Sequence, residues 1–117
     1  MIVEDETLVS WSLEKALRKA GFEVTVVGCG EKAIEKLYST HFDLVITDLK
    51  LPHIDGFQVA AAVKTFSPQI PVVMISAVED EACSEKIAKT HLDCFVEKPF
   101  DLKEVTELVN RFVLSPS

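Results

Sequence analysis

Apolar residues recur along the chain with two periods, and the period changes from one segment to the next. Between residues 7 and 20 they fall at helical spacing, and Gly21 follows where helices commonly end. Continuous or alternating apolar runs, typical of strands, separate this helix from later ones. In the first half of the chain the pattern predicts strands over residues 1–3, 22–27 and 43–47, and helices over residues 7–20 and 31–38.

The second half of the chain continues the alternation. Residues 51–56 contain Pro52 and Gly56 and are predicted to form a loop. The helix after this loop is predicted to end at Ser67-Pro68. We predict strands over residues 71–75 and 94–96, and helices over residues 57–66, 80–90 and 102–113. The tail over residues 114–117 is predicted to begin a linker, so residues 1–113 form the domain.

Five strands that alternate with five helices indicate an α/β fold. Parallel strands need crossover connections, and right-handed crossovers place helices on both faces of the sheet. The fold class predicted is therefore a five-stranded parallel sheet that is doubly wound. A chain of 117 residues suits one such domain with a single core. The first strand is short, so we expect further residues to precede Met1.

Composition excludes several classes of protein. The formal net charge of −7 makes this segment a poor partner for nucleic acid or anionic lipid. Cys29, Cys83 and Cys94 lack the spacing of a disulfide framework or a thiolate metal site. No membrane span or signal peptide is visible in the sequence. We expect a cytoplasmic protein.

Polar residues follow the predicted strands where ligands bind in open parallel sheets, beyond the carboxyl ends. Three of them, Glu4, Asp5 and Asp48, are carboxylates that would suit a hard cation such as Mg²⁺. Ser76 and Lys98 end two other strands. Taken singly, each of these residues also has an ordinary structural explanation. Glu4 and Asp5 could be acids favoured at the start of a helix, and Asp48 could cap a loop. Ser76 could cap the next helix, and Lys98 could be a surface charge.

The ordered set of motifs resembles the receiver domain of two-component response regulators, the CheY-like family. The resemblance covers nearly the whole chain and implies a flavodoxin-like sheet with strand order 2-1-3-4-5. Each motif alone is weak, whereas the intervals of 43, 28 and 22 residues between Asp5, Asp48, Ser76 and Lys98 are specific. The motifs are Glu4-Asp5-Glu6, Asp48 with Leu51-Pro52 and Asp55-Gly56, Ser76-Ala77, and Phe95 with Lys98-Pro99-Phe100.

The resemblance implies a role for each site residue. Asp48 would accept a phosphoryl group, and Lys98 would hold one of its oxygens. Mg²⁺ would bind to Asp5, Asp48 and the backbone carbonyl of Lys50, with Glu4 acting through water.

The resemblance also implies a switch. Ser76 would move toward the phosphoryl group, and Phe95 would turn inward. This movement would change the face formed by the fourth helix, the fifth strand and the fifth helix.

The same resemblance implies partners. The donor would be a sensor histidine kinase or a phosphotransfer protein, and the output would be a downstream effector domain or a phosphorylation-dependent homodimer. The only reactions that the domain would catalyse are its own Mg²⁺-dependent phosphorylation and dephosphorylation. The protein would therefore be a signalling domain rather than an enzyme.

Three other functions compete with phosphorylation signalling as explanations of the sequence. Gly28-Cys29-Gly30 fits part of a dinucleotide-binding motif, but that function gives no role to Ser76 or Lys98. A phosphatase of the haloacid dehalogenase type needs a second acid where Lys50 stands. A receiver-like module that binds partners without phosphorylation is the main alternative, although such modules usually lose one of the residues present in this chain.

Overall fold

The structure, a computed structural model, describes residues 1–77 and 92–114. The helix predicted over residues 80–90, Cys83, and the tail from residue 115 onward lie outside the described residues. Within the described ranges, five parallel strands form one sheet in the order β2-β1-β3-β4-β5. The predicted fold class and strand order are therefore confirmed. The strands are β1 Ile2–Val3, β2 Val26–Val27, β3 Val45–Asp48, β4 Val72–Ser76 and β5 Cys94–Glu97.

Helices cover both faces of this sheet, as a doubly wound fold requires. They are α1 Thr7–Lys19, α2 Gly30–Leu37, α3 Gly56–Phe66 and the C-terminal helix Leu102–Leu114. Each lies within a residue or two of its predicted span. None of the helices in the described ranges is long and apolar enough to cross a bilayer.

The core consists of two apolar layers, one on each side of the sheet. Alternate residues of a strand point to opposite faces, so β1 contributes Val3 to one layer and Ile2 to the other. Residues of α2 and α3 pack in the Val3 layer, and residues of α1 and the C-terminal helix pack in the Ile2 layer. The two layers hold the strands in register, and their carboxyl ends therefore meet at one edge.

The second strand is much shorter than predicted. The alternating pattern over residues 22–27 indicated six residues of strand, but only Val26 and Val27 pair with a neighbour. Their partners are Ile2 and Val3, and β1 offers no residue opposite positions 22–24. A strand is defined by its hydrogen bonds to a neighbouring strand and not by its side-chain pattern, so the predicted length of the second strand was wrong.

Candidate functional site

The predicted site residues lie together at the carboxyl edge of the sheet. Asp48 is the last residue of β3, and Ser76 is the last residue of β4. Glu4 and Asp5 directly follow β1, and Lys98 directly follows β5. Four strands thus supply one residue or more to the same region, as the sequence pattern predicted.

Three carboxylates form the centre of the site. Each of Glu4, Asp5 and Asp48 offers an oxygen, and these oxygens lie within 4.8 Å of one another. Glu4 and Asp48 are 5% and 6% exposed, whereas Asp5 is exposed. Clustered carboxylate oxygens with an open side suit a small hard cation that keeps part of its water, as Mg²⁺ does. The donor set therefore fits that metal.

Lys98 supplies the positive charge of the site. Its Nζ lies 3.5 Å from Glu4 Oε1 and 3.4 Å from Asp48 Oδ2. Partial burial lowers the pKa of Lys98, but the carboxylates of Asp48 and Glu4 outweigh burial, and the net pKa is raised. The ammonium therefore stays charged between the two acids.

One positive charge does not balance the buried acids. Burial raises the pKa of Glu4 to about 8, and a hydrogen bond and charge repulsion from Asp48 act in the same direction. Lys98 opposes these effects only in part. The raised pKa favours the protonated form of the Glu4 carboxyl in the metal-free protein.

The backbone around Asp48 is fixed by contacts that the sequence does not predict. The Thr47 hydroxyl, fully buried, donates to the Asp48 carbonyl oxygen at 2.9 Å. Gly56 lies against the same carbonyl so closely that a Cβ there would collide with it. The Gly56 amide also donates to the Leu49 carbonyl at 2.8 Å. The Asp55-Gly56 pair is one of the sequence motifs, but its contact with Asp48 has no signal in the sequence.

The turn that brings Gly56 to Asp48 is held by a helix cap. The Asp55 carboxylate accepts a hydrogen bond from the Gln58 amide, and the Gln58 side chain accepts one from the Asp55 amide, each at 2.9 Å. This capping box fixes the first turn of α3. The start of α3 is thus anchored beside the end of β3.

The remaining predicted residues surround the carboxylates. Ser76 is buried, and its carbonyl accepts from the Lys98 amide at 3.0 Å. Within the described ranges, no hydrogen bond joins the Ser76 hydroxyl to Asp48 or Lys98. Phe95 is half-buried in β5, and Lys50 is exposed two residues beyond Asp48. The Lys98–Pro99 peptide bond is cis.

Comparison with known proteins gives a family over nearly the whole chain. A family model described as a response regulator receiver domain matches residues 1–110. The chain is 30% identical over 112 residues to the DNA-binding transcriptional regulator NtrC of Escherichia coli K12, covering 96% of the chain and 24% of that protein. The chain therefore spans about a quarter of this relative's length.

Solved structures agree with the family match. A response regulator structure from Chloroflexus aurantiacus is 30% identical, with a TM-score of 0.88 over 97% of this chain and 94% of that one. The receiver domain of the sensor histidine kinase PA1611 of Pseudomonas aeruginosa matches with a TM-score of 0.88 at 23% identity, over 97% and 95% of the chains. That structure holds a magnesium ion in its active site cleft.

Proposed function

Since the chain belongs to the receiver domain family of response regulators, we propose that it is a phosphorylation switch whose acceptor is Asp48. The observation that carries the proposal is the position of Lys98 Nζ, between the buried carboxylates of Asp48 and Glu4. A lysine held there neutralises charge at the acceptor. Phosphoryl transfer depends mainly on such positioning and neutralisation.

The proposed reaction is a simple exchange of bonds. A carboxylate oxygen of Asp48 attacks phosphorus and forms a P–O bond. The P–N bond of a phosphohistidine on the donor breaks, and the imidazole nitrogen takes the electron pair. Lys98 holds a phosphoryl oxygen throughout. Hydrolysis of the aspartyl phosphate by water returns the carboxylate, so the chemistry of the domain is confined to its own phosphorylation.

Mg²⁺ is the proposed cofactor. When bound, it would neutralise the phosphoryl oxygens and the acids around them. Asp5, Asp48 and the Lys50 carbonyl would hold it directly, and Glu4 would act through water. The three carboxylates within 4.8 Å of one another support this assignment. The PA1611 receiver domain, which shares this fold, holds a magnesium ion in its active site cleft, and this supports the proposal of the same cofactor.

The proposed output is a shift between two conformations. Ser76 would hydrogen-bond the phosphoryl group, and Phe95, which packs beside the core layer of Val3, would turn further inward. Phe95 pairs in register with Met74 of β4, two residues before Ser76, so the two proposed switch residues lie on neighbouring strands. The phosphoryl group would favour one of two existing states.

The donor needs a surface next to the acceptor. Leu8 and Trp11 are 79% and 56% exposed on α1, which starts two residues after Asp5. Leu8 and Trp11 stand three residues apart, on one side of the helix, and together offer an apolar contact surface beside the acceptor. We propose that a histidine kinase or phosphotransfer protein of the cytoplasm docks here. The conformation that phosphorylation favours would control an effector domain or the formation of a homodimer through the face that includes Phe95.

The test is direct labelling with a small phosphodonor. Acetyl phosphate and Mg²⁺ should add one phosphoryl group, detected by mass spectrometry and removed by hydroxylamine. The adduct should be absent from Asp48→Asn. Asp43→Asn is the matched control, because Asp43 is exposed near the opposite end of the same strand, and it should label like the wild type.

Absence of an adduct in the wild type would favour the phosphorylation-independent binding module instead. Labelling of Asp48→Asn would move the acceptor to another side chain. Sedimentation with and without beryllofluoride, a phosphoryl mimic, tests the homodimer. A monomer in both conditions would remove dimerisation from the proposal and leave the acceptor assignment intact.

A further inference from the structure

Four strands supply residues to the site, and the fifth strand, β2, contributes in a different way. β2 ends at Val27, and α2 begins at Gly30, so Gly30 lies at the same carboxyl edge of the sheet as the carboxylates. It is buried, and it does not have the positive φ that would require glycine. Glycine forms helices less well than almost any other residue, so a glycine at the start of α2 needs another explanation.

The explanation is the side chain of Ile54, which occupies the space beside Gly30. A Cβ at Gly30 would collide with Ile54 Cγ1, and it would lie 2.7 Å from Ile54 Cδ1 and 2.9 Å from Val59 Cγ2. At Gly28, two residues earlier, a Cβ would meet no atom within 4 Å. The absence of a side chain at Gly30 therefore creates a seat for Ile54, which we call the Gly30 seat.

Ile54 belongs to the acceptor loop, residues 49–55, which joins the end of β3 to α3. Hydrogen bonds hold both ends of this loop, through the Leu49 carbonyl at one end and the capping box at the other. In the part of the chain that the structure describes, residues 50–54 make no hydrogen bond. The packing of Leu51 and Ile54 against the core therefore holds the middle of the loop.

The backbone of the acceptor loop is strained where it reaches the Gly30 seat. His53, directly before Ile54, has a φ of 68°, in the left-handed region that residues other than glycine rarely adopt. Such a conformation costs free energy and persists only where the surrounding contacts hold it. The side chain that follows His53 is the one in the Gly30 seat, so this contact holds the loop in its strained shape.

We propose that Gly30 and Ile54 are positioning residues for the binding of Mg²⁺, because the Gly30 seat fixes the acceptor loop and with it the Lys50 carbonyl. The inference rests on the proposed function, which assigns this carbonyl to the metal. Neither Gly30 nor Ile54 would touch the metal, and both would act through the backbone of the loop. Mg²⁺ demands a nearly ideal octahedral arrangement of oxygens, so a displaced loop should bind it more weakly.

The test measures Mg²⁺ affinity by isothermal titration calorimetry in a double-mutant cycle. Gly30→Ala should weaken binding at least about fivefold, because the new Cβ displaces Ile54 and the loop. Ile54→Ala should also weaken binding at least about fivefold, because it leaves the Gly30 seat empty. Adding Gly30→Ala to Ile54→Ala should change the affinity by less than about twofold, since the Ile54 atoms that the Cβ would meet are gone.

Two control variants separate positioning from a general loss of stability. Gly28→Ala adds a Cβ in open space, and Lys64→Met removes the ion pair with Asp93 near the other end of α3. Both should bind Mg²⁺ within about twofold of the wild type. Circular dichroism at the temperature of the titration establishes that each protein is folded. If Gly30→Ala does not fold, Ile54→Ala alone decides the question.

Three results would overturn the positioning role. They are wild-type affinity in Ile54→Ala or in folded Gly30→Ala, equal weakening by Gly30→Ala with and without the Ile54 side chain, and equal weakening by Lys64→Met. In each of these results the wild type still binds Mg²⁺ and is labelled at Asp48. Loss of either property in the wild type would instead contradict the proposed function, and this inference with it.

Discussion

At the scale of single residues, Glu4 makes stability depend on pH. Its pKa in the folded protein is about 8, above the ordinary value of 4.5, so the folded state keeps a proton that the unfolded chain releases in this range. The stability that Glu4 contributes is full below about pH 4.5 and is lost as pH rises through about 8. We expect the free energy of unfolding in EDTA, measured with urea, to fall across this range by at most about 1.4 kcal/mol per pH unit.

Glu4→Gln isolates this effect, because glutamine cannot lose a proton. The Met1 amino group acts oppositely: its pKa is lowered to about 6, so it adds stability as pH rises from about 6 to 8. The difference between wild type and variant removes this contribution. A difference that stays constant between pH 5 and 8 would contradict the raised pKa of Glu4.

Gly56 is the second residue whose substitution should have a large effect on stability. A Cβ at this position would meet the Asp48 carbonyl oxygen and the Leu49 backbone, and backbone atoms cannot move aside cheaply. We expect Gly56→Ala to destabilise the protein by about 1–3 kcal/mol in urea unfolding and to slow labelling at Asp48. The matched control is Gly28→Ala, where a Cβ meets no atom within 4 Å. Equal effects of the two substitutions would contradict the contact.

The residues of the site differ in how far the sequence predicts them. Asp48 and Lys98 stand at the ends of apolar runs, and a parallel sheet brings such ends together, so their proximity could be predicted. The roles of Thr47 and Gly56 could not. Both act on the Asp48 carbonyl, and a contact between a side chain or a loop and one backbone atom leaves no periodic signal.

At the scale of elements, α3 is held at both ends by side-chain hydrogen bonds. Its start carries the capping box beside Asp48. Near its end, Lys64 Nζ contacts Asp93 Oδ2 at 2.7 Å and the Ile70 carbonyl at 2.8 Å, and Asp93 Oδ2 also accepts from the Val72 amide at 2.7 Å. One lysine and one carboxylate therefore join α3, the start of β4 and the start of β5.

Lys64→Met should loosen this junction. Hydrogen bonds to charged groups contribute about 1.5–3 kcal/mol each, and the Lys64 side chain is only 18% exposed, so we expect a loss of about 1–2 kcal/mol in urea unfolding. The comparison is Glu14→Gln, which breaks the ion pair between Glu14 and Arg18 on the outside of α1 and should cost less than about 0.5 kcal/mol. A Lys64 effect as small as that of Glu14 would contradict the proposed junction.

Helices were predicted more accurately than strands for a physical reason. A helix closes its hydrogen bonds within its own segment, so periodicity, caps and terminators decide where it lies. A strand needs a neighbouring strand as its hydrogen-bond partner. Residues 22–25 have the alternating side-chain pattern of a strand, but β1 has no residues beside them, so only Val26 and Val27 pair. The same dependence explains why the sequence predicted the strand order only through family resemblance.

At the scale of the whole molecule, the chain carries a net charge of −7 and concentrates three acids at one edge. The proposed Mg²⁺ would bind the folded site and not the unfolded chain, so it should raise Tm in a saturable manner. Because this cation would displace the proton of Glu4, its affinity should rise with pH up to about 8. Thermal unfolding in MgCl₂ and in NaCl of equal ionic strength separates binding from the screening of charge.

Asp5→Asn removes one exposed acid of the cluster and should abolish most of the Mg²⁺-dependent rise in Tm. Glu6→Gln removes a neighbouring exposed acid outside the cluster and changes net charge equally, so it is the matched control and should keep the rise. A bulk effect of negative charge would reduce the response equally in both proteins. Loss confined to Asp5→Asn would instead assign the stabilisation to the carboxylates around Asp48, since the two variants differ only in whether the lost oxygen lies within that cluster.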